Sequence, residues 1–117
     1  MSQICKILTF KTKNKVFINI TEQILGEIKK SKIRNGLLNI FVLHTSCSLM
    51  IQENADPMVQ KDIANFLEQI APEKKYFHNS EGPDDMPAHL KSLITHTQIT
   101  LSVIDQKLNL GTWQGIY

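Results

Sequence analysis

Two thiols, Cys5 and Cys47, are all the cysteine this chain has. That is too few for the disulfide framework that holds small secreted domains together. Each stands in an apolar, strand-like stretch where a small buried thiol fits, and a reduced compartment is the plain expectation. Long apolar runs are missing as well: no window approaches the roughly 20 residues a membrane span requires. Met1 to Phe10 lacks the basic start and unbroken apolar stretch of a signal peptide. The expected location is therefore the cytoplasm, with no membrane partner. An excess of one charge is also absent, since 13 Lys and Arg against 11 Asp and Glu leave a formal net charge of +2. That is too small for a nucleic-acid footprint, and Lys29, Lys30, Lys32, Lys74 and Lys75 read as solvated helix faces.

What remains is 117 residues with a hydrophobic fraction of 42%. This suits one domain with one core, and no repeat, low-complexity tract or linker divides it. Ile4 to Lys11 alternates in part and predicts a strand. Lys13-Asn14-Lys15 supplies a polar turn, and Val16 to Ile20 a second strand in hairpin with the first. Thr21 is expected to cap a helix whose apolar face is Ile24, Leu25 and Ile28, ending at Asn35-Gly36. Leu37 to Leu43 is apolar enough for a strand covered on both sides, and Cys47 to Gln52 predicts another. Asp56-Pro57 is a helix start, with Val59, Ile63, Phe66, Leu67 and Ile70 on one face and a stop at Pro72. Pro72 to Pro87 has no period, and a loop of that length carrying Tyr76, His78, Glu81, Asp84 and Asp85 points to function. A short helix follows through Ile94, then strands over Gln98 to Ile104 and Leu108 to Thr112.

All four histidines fall after residue 43, where the chemically capable residues gather. His44, His78 and His89, with Glu53, Asp84 and Asp85, form a nitrogen and oxygen donor set suited to a divalent metal ion such as Zn²⁺ or Mg²⁺. No close-spaced metal signature accompanies them, and the bland alternative is that Asp84 and Asp85 cap a helix while the histidines are scattered polar residues. A phosphorylated small molecule is the second expectation. Thr45, Ser46 and Ser48 offer hydroxyls, Gly111 and Gly115 give access to backbone N–H groups, and a carboxylate-held cation would offset phosphate charge. Cys47 lies near His44, but an apolar strand would leave it inert as a nucleophile. Trp113, between glycines, is either a core residue or a pocket wall.

Three blocks at these positions, in this order and spacing, resemble the YjbQ-like proteins, also described as a secondary thiamine-phosphate synthase family. They are His44-Thr45-Ser46 through Glu53-Asn54-Ala55-Asp56-Pro57, then Glu81-Gly82-Pro83-Asp84-Asp85-Met86-Pro87-Ala88-His89-Leu90-Lys91, then Leu110-Gly111-Thr112-Trp113-Gln114-Gly115-Ile116-Tyr117. The resemblance implies an α+β fold, a compact single domain over residues 1–117 with β-sheets flanked by helices, usually assembled as a homotrimer. It also implies a weak activity that joins a pyrimidine pyrophosphate to a thiazole phosphate, giving thiamine phosphate and pyrophosphate. The family pattern continues past the last tyrosine into a Glu-His-Arg segment and a closing strand, so a C-terminal strand is expected to be missing here. Cys47 stands where relatives more often carry threonine or alanine, which argues further against thiol catalysis.

The combined expectation is a metal-assisted enzyme acting on a phosphorylated small molecule. Glu53, Asp84, Asp85 and His89 are its catalytic candidates, with Asp84 and Asp85 contacting the ion and Glu53 in an acid/base or supporting role. Thr45, Ser46, Asn54, Glu81 and Trp113 are the substrate-binding candidates, and His44, His78 and His89 the metal ligands. The competing class is a non-catalytic trimeric protein that binds a ligand or another protein through the same pocket.

Overall fold

The computed structural model describes residues 1–117. Its elements are α1 (Thr21–Ser31), β1 (Gly36–Phe41), β2 (Ile51–Glu53), α2 (Pro57–Ile70), α3 (Asp85–Ile94), β3 (Gln98–Ile104), β4 (Lys107–Leu108) and β5 (Gln114–Ile116). They form a single α+β domain with two antiparallel sheets, one in the order β1-β3-β4 and the other pairing β2 with β5. The first sheet is set by Gly36 opposite Val103 through Phe41 opposite Gln98. The second pairs Ile51 with Ile116 and extends by reciprocal backbone bonds between Met50 and Tyr117.

The core lies where α1 meets both sheets. Ile20, Ile24, Leu49, Ile99 and Ile116 are buried together, with Leu8, Phe10, Ile18, Leu38 and Leu101 packed around them. Ile116 is fully enclosed. The Thr21 hydroxyl does not cap α1. It donates to Asn19 Oδ1 at 2.6 Å and accepts the Ile116 N–H at 2.9 Å, so it ties the start of the helix to β5. The helix closes on Lys32 in the left-handed region, three residues before the Asn35-Gly36 stop that the sequence suggests.

Three further local expectations are corrected. The proposed N-terminal hairpin does not form as a sheet: residues 1–19 contain no helix or strand and make no backbone–backbone hydrogen bond. They are held through side chains instead, Leu8, Phe10 and Ile18 on the core and Lys6 on Glu27 at 2.6 Å. Alternation in sequence sets which side chains face inward; it does not supply a neighbouring strand. The run from Leu37 is not sandwiched either, because β1 sits at a sheet edge with Leu37 80% exposed and Phe41 58% exposed. Cys5 and Cys47 are both exposed rather than buried, since neither lies in a regular strand.

The helix start at Asp56-Pro57 forms as expected: the Asp56 carboxylate accepts the Met58 N–H at 2.9 Å and Pro57 occupies the first turn. Only Leu67 of α2 is buried, while Phe66 and Ile70 of its apolar face remain exposed. Ile116→Ala should therefore cost about 2–5 kcal/mol of unfolding free energy. The edge substitution Leu37→Ala should stay within about 0.5 kcal/mol. Urea unfolding of the two variants checks the ranking.

Candidate metal centre

The loop after α2 and the first turns of α3 build the site. Tyr76 anchors the loop on itself, its hydroxyl donating to the Pro72 carbonyl at 2.6 Å. At Gly82 the backbone takes φ +101°, a conformation that a side chain rarely adopts, and the chain turns back toward α3. Asp85 opens α3 and His89 follows four residues later, so both side chains project from the same face of the helix. His78 comes across from the loop.

These three converge on one oxygen. Asp85 Oδ2 lies 2.7 Å from His78 Nε2 and 3.0 Å from His89 Nε2. The donor atoms of His78, Asp85 and His89 all fall within 4.8 Å of one another, and each residue is partly buried. The two imidazoles meet edge to face with centroids 5.5 Å apart. Glu81 stands at the margin, its carboxylate 3.8 Å from His78 Nε2.

The second nitrogen of His89 decides what the cluster can hold. His89 Nδ1 is 2.9 Å from the Thr45 carbonyl oxygen, which can only accept, so Nδ1 carries the proton. In a neutral ring Nε2 is then a bare lone pair, and it faces the Asp85 carboxylate. The His78 hydrogen bond, then Glu81 and His89, hold the Asp85 carboxyl below the ordinary carboxylate value against the opposing effect of partial burial. Two acceptors thus confront each other at 3.0 Å unless a positive charge is shared between them, either a proton on His89 or a cation. A histidine that donates Nδ1–H to a backbone carbonyl and turns Nε2 toward a carboxylate has the arrangement of a metal-ligating histidine with its outer support in place. Two imidazole nitrogens and one carboxylate oxygen suit Zn²⁺ and related divalent ions, and three protein donors leave room for a further ligand.

The other sequence candidates are placed differently. His44 is not brought into the cluster; its segment reaches His89 through the Thr45 backbone, and its side chain is exposed on an open cleft of about 520 Å³ lined by Phe41, Val42, Leu43, His44, Thr45 and Ser46. Asp84 is not among the converging donors; its carboxylate accepts from Asn14 Nδ2 at 3.0 Å. Glu53 turns onto its own chain, accepting the Asp56 N–H at 3.1 Å. Asn54 bonds to the Trp113 and Gln114 carbonyls, at the end of β2 and β5, and Trp113 is 63% exposed. A second open cleft is lined by Lys74, Lys75, Tyr76, Phe77 and Asn79, which flank His78 in the chain. Sequence reading did not single out the Thr45 carbonyl, and no side-chain pattern could have revealed it.

The comparisons with known proteins are consistent in what they match. A profile of the family described as UPF0047 protein YjbQ-like covers residues 6–117. A UPF0047 protein of Synechocystis sp. is 44% identical over 96% of this chain and 78% of its own length. The UPF0047 protein YjbQ of Escherichia coli is 39% identical over 96% of this chain and 83% of its own. Among solved structures, an uncharacterized conserved protein of the yjbq/upf0047 family from Clostridium acetobutylicum superposes with a TM-score of 0.84 at 35% identity, covering 92% of this chain and 83% of that one.

A carboxylate whose pKa is lowered on folding adds stability above the ordinary carboxylate range and loses it as pH falls through the lowered value. In metal-free protein, Asp85 should therefore stabilise the fold at pH values above about 4 and stop doing so on further acidification. Comparing urea midpoints of the parent and Asp85→Asn from pH 7 to pH 3 tests this: the difference should shrink as the pH drops.

Proposed function

This chain belongs to the UPF0047 YjbQ-like family, and from that premise we propose that it binds a divalent metal ion through His78, Asp85 and His89 and uses the site to engage a phosphorylated small molecule. The observation that carries the reading is the 2.9 Å contact of His89 Nδ1 with the Thr45 carbonyl, an acceptor that places the ring proton on Nδ1 and turns Nε2 toward Asp85. A divalent ion, when bound, supplies charge neutralisation for phosphate oxygens and for a departing pyrophosphate. The chain's own residues supply position and polarity around it. Thr45 and Ser46 offer hydroxyls from one open cleft, and Lys74 and Lys75 offer ammonium groups from the other.

The reaction that fits this proposal is the joining of a pyrimidine pyrophosphate to a thiazole phosphate. The thiazole nitrogen forms a bond to the pyrimidine methylene carbon, the carbon–oxygen bond to pyrophosphate breaks, and pyrophosphate leaves with the electron pair. No proton must be removed from the attacking nitrogen, so the site's task is alignment and charge neutralisation rather than general-base catalysis. The second reading is a binding protein without turnover, which the same cluster of His78, Asp85 and His89 would serve equally. Self-association as a homotrimer is part of the same proposal, supported by the outer edge of β1, which lacks a neighbouring strand and exposes Leu37, Phe41 and Leu43 nearby.

Elemental analysis and Zn²⁺ titration of the purified protein test the metal reading. His89→Ala and Asp85→Ala should each weaken Zn²⁺ binding by at least about tenfold, with affinity rising as pH increases and protons cease to compete. Unchanged metal content and turnover in both variants would refute it. Stabilisation by pyrophosphate without product formation would select the binding reading. Sedimentation equilibrium should give three times the 13.4 kDa chain mass; a monomer across the accessible concentration range would dismiss the trimer.

A further inference from the structure

The N-terminal turn reaches the loop that carries His78 at both of its ends. Asn14 Nδ2 donates to Asp84 Oδ2 at 3.0 Å, and the direction of that bond is fixed because a carboxylate can only accept. Lys15 Nζ lies 3.2 Å from Glu73 Oε1 and 3.4 Å from Glu68 Oε2. Glu73 stands just inside the start of the loop and Asp84 closes it, immediately before Asp85. Two adjacent residues of the turn therefore hold positions 73 and 84, and His78 and Glu81 hang between the fixed points. Glu68 is shared with Lys91 of α3, so the helix that carries His89 is tied into the same ionic group.

Three further features set this arrangement apart from incidental surface pairing. Residues 1–19 make no backbone–backbone hydrogen bond, so side-chain anchors are what hold this segment in place. Lys15 adopts φ 56°, a left-handed conformation that a lysine adopts at some cost, and it does so where its ammonium group meets two carboxylates. Asp84 precedes α3 in the N-cap position yet makes no capping bond to the helix, and its carboxylate is engaged by Asn14 instead. The surrounding contacts determine the turn's shape; the turn in turn restrains the loop.

We infer that Asn14 and Lys15 are positioning residues for the metal centre: they clamp the two ends of the 73–84 loop and so hold His78 opposite Asp85 and His89. This rests on the metal-binding reading for its consequence, while the clamp itself can be read without a metal. Loosening either end lets His78 move away from the Asp85 oxygen, and the centre loses one of its three donors for part of the time. Affinity falls by the fraction of time the three-donor geometry is absent. Neither Asn14 nor Lys15 touches the donors, so their removal acts through the loop alone.

The test uses two readouts on the full chain. Trypsin cleavage after the exposed Lys74 or Lys75, mapped by mass, reports loop opening in metal-free protein, and calorimetric titration with Zn²⁺ reports the centre. Asn14→Ala and Lys15→Ala should be cut faster at these sites and bind Zn²⁺ more weakly, each by about fivefold, with melting temperatures of the metal-free proteins near the parent value. Asn14→Asp sets two carboxylates against each other and should behave as badly or worse. Pairing it with Asp84→Asn rebuilds the bond in the opposite sense and should restore both readouts, which a general loss of stability would not do. Parental cleavage and parental Zn²⁺ affinity in Asn14→Ala would overturn the inference, as would a swapped pair that fails to recover. If the parent takes up no Zn²⁺, the metal reading falls and cleavage alone decides the clamp: acceleration reversed by the swap supports it, and unchanged rates overturn it.

Discussion

The hydrogen bond from His89 Nδ1–H to the Thr45 carbonyl is the contact on which the site depends. It joins positions 44 residues apart, one on α3 and the other in the segment after β1. By placing the proton on Nδ1 it leaves Nε2 as a donor of electrons, and the same bond stops the ring from turning away. The Asp85 oxygen then sits between two imidazole nitrogens with its charge retained. A cluster of this kind requires a shared positive charge, and the nature of that charge governs what the site can do.

Getting His89 and Thr45 into contact is the work of the fold. Leu49 and His96 exchange backbone bonds, at 2.7 and 3.2 Å, bringing the chain just after Thr45 alongside the end of α3. The buried Ser92 hydroxyl donates to the Cys47 carbonyl at 3.2 Å and secures the same approach from within the helix. Thr95 completes it, with its hydroxyl 2.5 Å from that of Ser48. The 45–49 segment is thus fastened along α3 at several points, and the His89 bond is one of a series. The loop with His78 has no comparable backbone attachment and relies on side chains at its two ends.

Local chemistry made some of this visible in the sequence. Asp56-Pro57 marked a helix start because capping and a missing donor are properties of those two residues alone, and Gln98 to Ile104 alternated as a half-buried strand must. The aperiodic stretch from Pro72 to Pro87 stands out by its length and polar content, and it carries the His78 that meets Asp85. The i,i+4 spacing of Asp85 and His89 puts them on one helical face once α3 is known. What could not be read was anything requiring a distant partner. The partial alternation of Ile4 to Lys11 does not say whether another strand lies beside it, the apolar run at Leu37 does not distinguish an edge from a centre, and His44 resembles a ligand until the backbone shows Thr45 reaching the centre through its carbonyl.

The ring tautomer of His89 tests the arrangement most directly. Long-range ¹H–¹⁵N spectra of the four histidines, recorded at pH 8 before and after addition of Zn²⁺, read the protonation of each nitrogen. The expected result is an Nδ1–H tautomer at His89, with Nε2 resonances of His78 and His89 displaced by the ion while those of His96 stay in place. An Nε2–H tautomer at His89, or an ion that moves His44 and His96 and leaves His78 and His89 unchanged, would contradict it.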